Sequence, residues 1–277
     1  MDANTKLNFI DIKGPDDIRL APYSSLKGKQ LERDGIFVAE GEKVVRSLIG
    51  SGCKIASFLT SAGTVSRYGT ILKAASKRGI SVYVADNELI EKIIGFRFHK
   101  GIMAIGYCPE KLTASEVLKK MERPLFLVAL NAINDPQNVG LITRNAAAFG
   151  VQALIADNAT YDPYYRKAVR VSMGTIFKLP VCYENDLALS LMRFKKKYDI
   201  RIIAATPGKG AGDIAKANLE GNICFVFGNE DKGVSRRILN IADAAVRIPI
   251  SKSVDSLNVA SASAVCLYEA SRYRKRK

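Results

Sequence analysis

The chain has one histidine, His99, among 277 residues, which removes two-histidine metal motifs and most zinc sites from consideration. Its five cysteines, Cys53, Cys108, Cys182, Cys224 and Cys266, are widely spaced with no Cys-x-x-Cys pair. Their apolar surroundings make them core thiols of a reducing compartment. No stretch approaches the roughly 18 consecutive apolar residues of a membrane span, and no long basic amphipathic helix is evident. The amino terminus, MDANTKLNFI, lacks the basic start and continuous apolar segment of a secretory signal, so a cytoplasmic location is expected. Neither the glycine and lysine spacing of a P-loop nor a G-x-G-x-x-G after a strand occurs, which weakens the ordinary nucleotide-binding readings. Acid is short as well. Against 42 Lys and Arg stand 27 Asp and Glu, a formal charge of +15, with +5 up to Cys108 and +10 beyond it. A polyanion is the natural partner, nucleic acid before a membrane surface.

With 48% hydrophobic residues, the chain is able to bury a sizeable core and is long enough for two domains. Up to residue 108, short apolar strands at 37–39, 56–59, 81–85 and 102–107 alternate with helical patterns at 42–49, 65–77 and 88–94. That alternation predicts a small α/β unit. Lys27, Lys29, Arg33, Lys43 and Arg46 make either an RNA-facing surface or a solvated face. FRFHKG at 96–101 either stacks bases and holds phosphates or forms a turn, with His99 structural. Residues 109–123, with Thr113 as a helix cap, read as a charged linker.

From residue 124 onward, strands are predicted at 125–130, 151–156, 177–182, 201–205, 223–227 and 245–250, and helices at 187–198 and 258–272. Between them, 161–171 interleaves Arg166, Lys167 and Arg170 with three tyrosines, a composition that suits single-stranded RNA. The basic tail, 272–277, binds phosphate if ordered near RNA and is otherwise a frayed end. The strands at 201–205 and 223–227 run into TPG and GNE, and strand ends of this kind are where open α/β sheets bind ligands. Gly228 and Gly233 would let backbone approach a ligand closely, and Glu230 would put a carboxylate at the mouth. The organising stretch is 131–150, NAINDPQNVGLITRNAAAFG: a strand end, a polar turn and a helix whose Val139, Ile142, Ala146 and Phe149 face the core. Arg144 and Asn145 then fall off that stripe.

Three ordered segments, NDPQNVGLITRNAAAFG at 134–150, FGNEDKGVS at 227–235 and IPISKSVDSLNVASA at 248–262, resemble the motifs of the SpoU (TrmH-like) RNA 2'-O-ribose methyltransferases of the SPOUT class. RVSMGT at 170–175 adds to the likeness, while FVAEGEKVV at 37–45 and HKGIMA at 99–104 are similar to that family's L30e-like substrate-binding domain. The resemblance implies an α/β chain in which an L30e-like RNA-binding domain (1–108) and a linker (109–123) precede a catalytic domain (124–277). That catalytic domain would be a parallel sheet with a deep trefoil knot, an exception to the rule against knotted chains. Also implied are S-adenosylmethionine as cofactor, a homodimer whose site borrows from both chains, and no metal.

By motif position, Thr206, Gly228, Asn229, Ile248 and Leu257 would hold the cofactor, while Asn138, Arg144, Glu230, Ser256 and Asn258 would form the polar active site. Arginine is a poor base because its pKa exceeds about 12, so Arg144 is expected to position the ribose hydroxyl and stabilise developing negative charge. Asn138, Glu230 and Asn258 are its expected partners. Asp231 and Lys252 stand where many relatives have glycine, and Ala260 where serine is frequent; if Lys252 blocks the backbone conformation, cofactor affinity suffers. The substrate implied is ribosomal RNA, with transfer RNA second. Base methylation and a noncatalytic RNA-binding or ribosome-assembly role are the competing readings.

Overall fold

Two sheets carry the chain in the computed structural model, which describes residues 8–24, 26, 35–208 and 210–274. Lys27, Lys29, Arg33 and the tail at 275–277 lie outside the described residues. Two compact units result, one of residues 1–109 with 164–177 and one of residues 110–163 with 178–277. No helix among the described residues is long and apolar enough to cross a membrane.

Unit 1 holds β1 (Phe9–Asp11), β2 (Ile36–Glu40), β3 (Ile55–Ser61), β4 (Ser81–Ala85) and β5 (Ile102–Tyr107), in the order β1-β4-β3-β5-β2. β1, β4 and β3 run parallel, whereas β5 is antiparallel to both β3 and β2. Its longer helices are α1 (Glu42–Ile49), α2 (Gly69–Lys77) and α3 (Asn87–Ile94). Val44, Val45 and Leu48, which α1 buries, follow the helical repeat.

Residues 164–177, which include most of the 161–171 stretch whose composition suits single-stranded RNA, are part of this unit, with Lys167 and Arg170 exposed. Phe37 lies with its ring centroid 5.5 Å from Tyr164 and 5.0 Å from Phe177. Arg166 pairs with buried Glu40 at 2.8 Å, and its guanidinium sits 4.0 Å from the Phe96 ring centroid. A buried carboxylate needs such a partner, so the Arg166 guanidinium is committed to Glu40.

Unit 2 is built on a seven-stranded, wholly parallel sheet: β6 (Phe126–Asn131), β7 (Ala153–Asp157), β8 (Val181–Glu184), β9 (Arg201–Ala205), β10 (Gly212–Asp213), β11 (Ile223–Gly228) and β12 (Ala244–Arg247). The strand order is β10-β12-β9-β11-β6-β7-β8. Every residue of the neighbouring strands β6 and β11 is buried, as a parallel sheet covered on both faces requires. One face packs on α4 (Ala114–Leu118) and α6 (Leu187–Tyr198), whose Leu187, Leu191 and Phe194 each contribute about 1.5–3 kcal/mol by burial. The region expected as a linker therefore belongs to this core, with α4 fixed by a Thr113 and Glu116 capping box.

The other helices of unit 2 are α5 (Pro136–Ala148), α7 (Arg236–Leu239) and α8 (Val259–Ser271), and α5 packs against α8. The strands predicted at 177–182 and 245–250 are each shortened to four residues. Residues Thr175–Lys178 form a 3-10 turn before β8, and β12 stops at Arg247, because Pro180 and Pro249 lack the N–H a ladder needs. Cys182, Cys224 and Cys266 are buried, and burial pushes their thiols up to about 12, so they remain protonated. Cys53 and Cys108 are only partly buried.

Candidate active site

β6 ends at Asn131 and α5 begins five residues later, with Asp135 as N-cap accepting the Gln137 N–H at 2.8 Å and Pro136 in the first turn. Asp and Pro are favoured there because the first N–H groups of a helix lack internal acceptors and proline has none to leave unpaired. The cap fixes the start of α5 and turns Asn138 inward, where it is 5% exposed.

Asn138 then meets residues from two distant motifs. Its Nδ2 donates to Glu230 Oε1 at 2.8 Å, and its Oδ1 accepts from Asn258 Nδ2 at 3.0 Å. Asn258 caps α8, its Oδ1 accepting the N–H groups of Ala260 (2.9 Å) and Ser261 (3.3 Å). Because that oxygen is committed to the helix, the amide of Asn258 has to face Asn138 with its nitrogen. Asn138 in turn has to face Glu230 with its own. The chain of donors thus has one direction and ends on a carboxylate.

Glu230 also accepts the N–H of Asn134 (3.1 Å) and of Asp135 (3.2 Å). Partial burial raises its pKa, but the Asn138 amide and the backbone donors outweigh this and hold the carboxyl below the usual glutamate value. An ionised Glu230 is a fixed acceptor and a weak base at neutral pH. Its stabilising contribution is present above about pH 4.5 and is lost as pH falls through the lowered folded value. Glu230→Gln, which sets an amide against these donors, should lower the melting temperature near neutrality by about 2–4 °C, the effect of about 1 kcal/mol in a domain of this size. The gap from wild type should close in melts taken progressively below pH 4.5.

Beside this chain lies a cavity of about 440 Å³ at the carboxy-terminal ends of β9, β11 and β12. Thr206, Gly228, Asn229, Glu230, Ile248, Ser256, Leu257 and Asn258 all line it, together with Asp231, Lys232 and Cys266. Thr206 shapes the β9 end by donating its N–H to the Val246 carbonyl (3.0 Å) and accepting the Gly208 N–H on its hydroxyl (3.2 Å). Gly228 is required by space: a Cβ there would fall within 3.0 Å of backbone atoms of Gly233 and Val234. Asn229 braces the loop, its Oδ1 accepting the N–H groups of Asp231 (3.1 Å) and Lys232 (2.9 Å) while its Nδ2 donates to the Ala132 carbonyl (2.8 Å). Positive φ at residues other than glycine is confined, among the described residues, to Ala132, Met173 and Asp199. Neither Asp231 nor Lys252 is therefore held in a conformation that favours glycine.

Arg144 does not join its expected partners. It is exposed and absent from the cavity lining, and its side chain makes no hydrogen bond or ion pair with any described residue. Glu230 is already committed to Asn138 and the turn, and six helical residues place Arg144 on a different side of α5 from Asn138. The neighbouring Asn145, seven residues from Asn138, shares its face and donates to the Ala260 carbonyl (2.9 Å) and Ser263 Oγ (3.0 Å). Asn131, outside the cavity lining, supports it from behind by accepting the Ser235 N–H at 2.8 Å, a contact that sequence reasoning did not anticipate. No group of three or more His, Cys, Asp or Glu among the described residues is placed to hold a metal ion.

Residues 125–268, which include every part of this cavity and polar chain, match the family model described as the SpoU rRNA Methylase family. The chain belongs to that family. This SpoU methylase is 33% identical to an uncharacterized tRNA/rRNA methyltransferase of Mycobacterium tuberculosis, over 96% of the chain and 93% of the relative. It is also 33% identical to the 23S rRNA (guanosine-2'-O-)-methyltransferase RlmB of Ralstonia nicotianae, over 75% of the chain and 83% of that protein. Among solved structures, the AdoMet-bound rRNA methyltransferase from Sinorhizobium meliloti shares the fold of this SpoU methylase with a TM-score of 0.82 at 24% identity, covering 97% of the chain and 100% of that structure.

Proposed function

We propose that this chain methylates a ribose 2'-oxygen in structured RNA with S-adenosylmethionine as methyl donor, on ribosomal RNA before transfer RNA. The observation that carries the reading is the cavity walled by three strand ends and closed on one side by the Glu230, Asn138 and Asn258 chain. Its volume of about 440 Å³ is in the range of small-ligand sites, and its wall is partly apolar with a few convergent polar groups. Gly228 lets the Gly233 and Val234 backbone pack directly against the end of β11 at the cavity wall, where any Cβ would collide with it. The residues present fit the group: Ile248 and Leu257 supply apolar contact, while Thr206 and the 228–233 loop supply polar atoms. The formal charge of +15 and the 23S rRNA substrate in the name of the RlmB relative support a ribosomal substrate and, with it, a reaction in the cytoplasm.

When bound, S-adenosylmethionine supplies an electrophilic methyl group. What the protein adds is placement and charge. Asn258 and Asn138, oriented by the α8 cap and by ionised Glu230, hold the mouth of the cavity rigid at no reorganisation cost. Ser256 adds a hydroxyl to the same wall. Arg144 positions the ribose hydroxyl and stabilises the oxyanion as its proton passes to solvent water; a guanidinium that stays charged is suited to that role and not to taking the proton.

An exposed arginine without a partner among the described residues of its own chain supports a site completed by a second copy. The apolar side chains α8 leaves open, Val265 at 38% and Tyr268 at 48% exposure, support the same homodimer. The insertion of β11 between β6 and β9, with the 248–258 segment returning to the cavity, supports the trefoil knot. The mixed five-stranded sheet of unit 1 and the +5 charge up to Cys108 support an L30e-like, RNA-binding domain at 1–108.

The test is transfer of labelled methyl from S-adenosylmethionine to RNA isolated from cells lacking the protein, followed by mapping of the product. Label at a single ribose 2'-oxygen of ribosomal RNA is expected. No label in any RNA, or label on a base, would sink the reading.

A further inference from the structure

Asp157 ends β7, two strands away from the cavity and outside all three family-like motifs. Its carboxylate nonetheless collects donors from two places. Oδ2 accepts Asn131 Nδ2 at 2.8 Å, and the Ala132 N–H lies 3.0 and 3.1 Å from the two oxygens. Oδ1 also accepts the Thr160 N–H at 2.8 Å.

Each of the first two contacts continues to the cavity loop. Asn131, its nitrogen spent on Asp157, must present its oxygen outward, and that oxygen accepts the Ser235 N–H at 2.8 Å. Ala132 has φ of 58°, a left-handed conformation a Cβ makes costly, and its carbonyl accepts from Asn229 Nδ2 at 2.8 Å. Asn229 organises the loop that lines the cavity. A single carboxylate thus sets both the rotamer of Asn131 and the strained backbone of Ala132, and through them both ends of the 229–235 segment.

We infer that Asp157 is a positioning residue for methyl-donor binding, acting through Asn131 and Ala132 on the Asn229 to Ser235 loop. The inference rests on reading the cavity as the methyl-donor site. It requires an acceptor at every point of the carboxylate, which a carboxamide of the same shape does not offer: in Asp157→Asn one oxygen becomes a donor facing another donor.

The test combines calorimetry of S-adenosylmethionine binding with amide hydrogen exchange of the protein alone. Asp157→Asn is expected to weaken binding and to speed exchange at Ala132 and Ser235, each by about tenfold or more, as loss of a hydrogen bond to a charged group does. The reciprocal pair Asn131→Asp with Asp157→Asn restores the pattern, since the carboxamide moved to position 157 would donate to the carboxylate moved to position 131 while keeping an oxygen for Ala132. It should recover wild-type binding and exchange within about twofold. Unchanged affinity and unchanged exchange in Asp157→Asn overturn the inference, as does a reciprocal pair that does not fold or stays as weak as the single variant. Where Asp157→Asn alone does not fold, the reciprocal pair decides. Absence of binding by the wild-type protein instead sinks the donor-site reading itself, and the exchange arm still reports on the brace.

Discussion

Arg144→Ala is expected to leave S-adenosylmethionine affinity and the melting temperature unchanged while lowering kcat by about a hundredfold to a thousandfold, the loss that follows removal of one group aimed at developing charge. The split follows from position: the side chain is exposed, touches none of the Asn138, Glu230 and Asn258 chain, and does not line the cavity. Calorimetry and single-turnover transfer on the same preparation measure both quantities. A variant that loses cofactor affinity in proportion to rate would remove Arg144 from the role given to it. Mixing Arg144→Ala with a soluble cavity-dead variant tests which chain it serves. If Arg144 completes the partner's site, half of the dimers regain one intact site, and activity returns to on the order of a quarter of wild type by random assortment in a two-fold dimer. An arginine that served its own cavity would give no recovery.

Gly228→Ala should have the larger structural effect. The added methyl would meet backbone atoms of Gly233 and Val234 within 3.0 Å, and backbone does not yield as the tip of a side chain does. Over-packing of this kind costs about 1–3 kcal/mol, so a lower melting temperature is expected together with loss of S-adenosylmethionine binding of at least about tenfold. Gly233 offers the contrast. A Cβ there meets nothing within 4 Å, but φ is +69°, so Gly233→Ala carries a conformational cost of about 1–2 kcal/mol with no steric block. Equal effects of the two substitutions on binding would show that the loop, not the space beside Gly228, limits affinity.

Much of this was legible in the chain itself, element by element. The repeat of apolar residues predicted helices at 42–49 and 187–198 with the bounds observed, and strands at 81–85, 102–107 and 201–205 likewise, because local spacing alone decides such segments. All of the residues expected to hold the cofactor line one cavity, and Asn138, Glu230 and Asn258 are joined although up to 120 residues separate them. Motif order carried that, not periodicity.

What failed depended on facts no spacing encodes. Arg144 was assigned partners by motif membership, yet its azimuth on α5 and the prior commitment of Glu230 are properties of the folded site. Residues 109–123 are charged enough to read as a linker, but Ala114, Val117 and Leu118 are core. Asp157 carries no signal in the sequence, where a lone acid after an apolar strand is an ordinary strand end; only its pairing with Asn131, 26 residues away, gives it meaning. The tyrosine neighbours of Arg166 give a composition that suits RNA, whereas the residue that fixes its guanidinium, Glu40, lies 126 positions earlier.

That last pairing bears on how such proteins are inherited and recombined. Residues 164–177 lie inside the stretch matched by the methylase family yet belong to the amino-terminal unit, where they shield Phe37, neutralise Glu40 and receive the Ser47 hydroxyl on the Gly174 carbonyl. The chain is therefore not a pair of beads that evolution, or an engineer, is free to trade at residue 109. A chimera that exchanged only the first part would leave a buried acid without its cation and an aromatic ring without its cover. A transplanted amino-terminal unit has to bring its distant clasp with it.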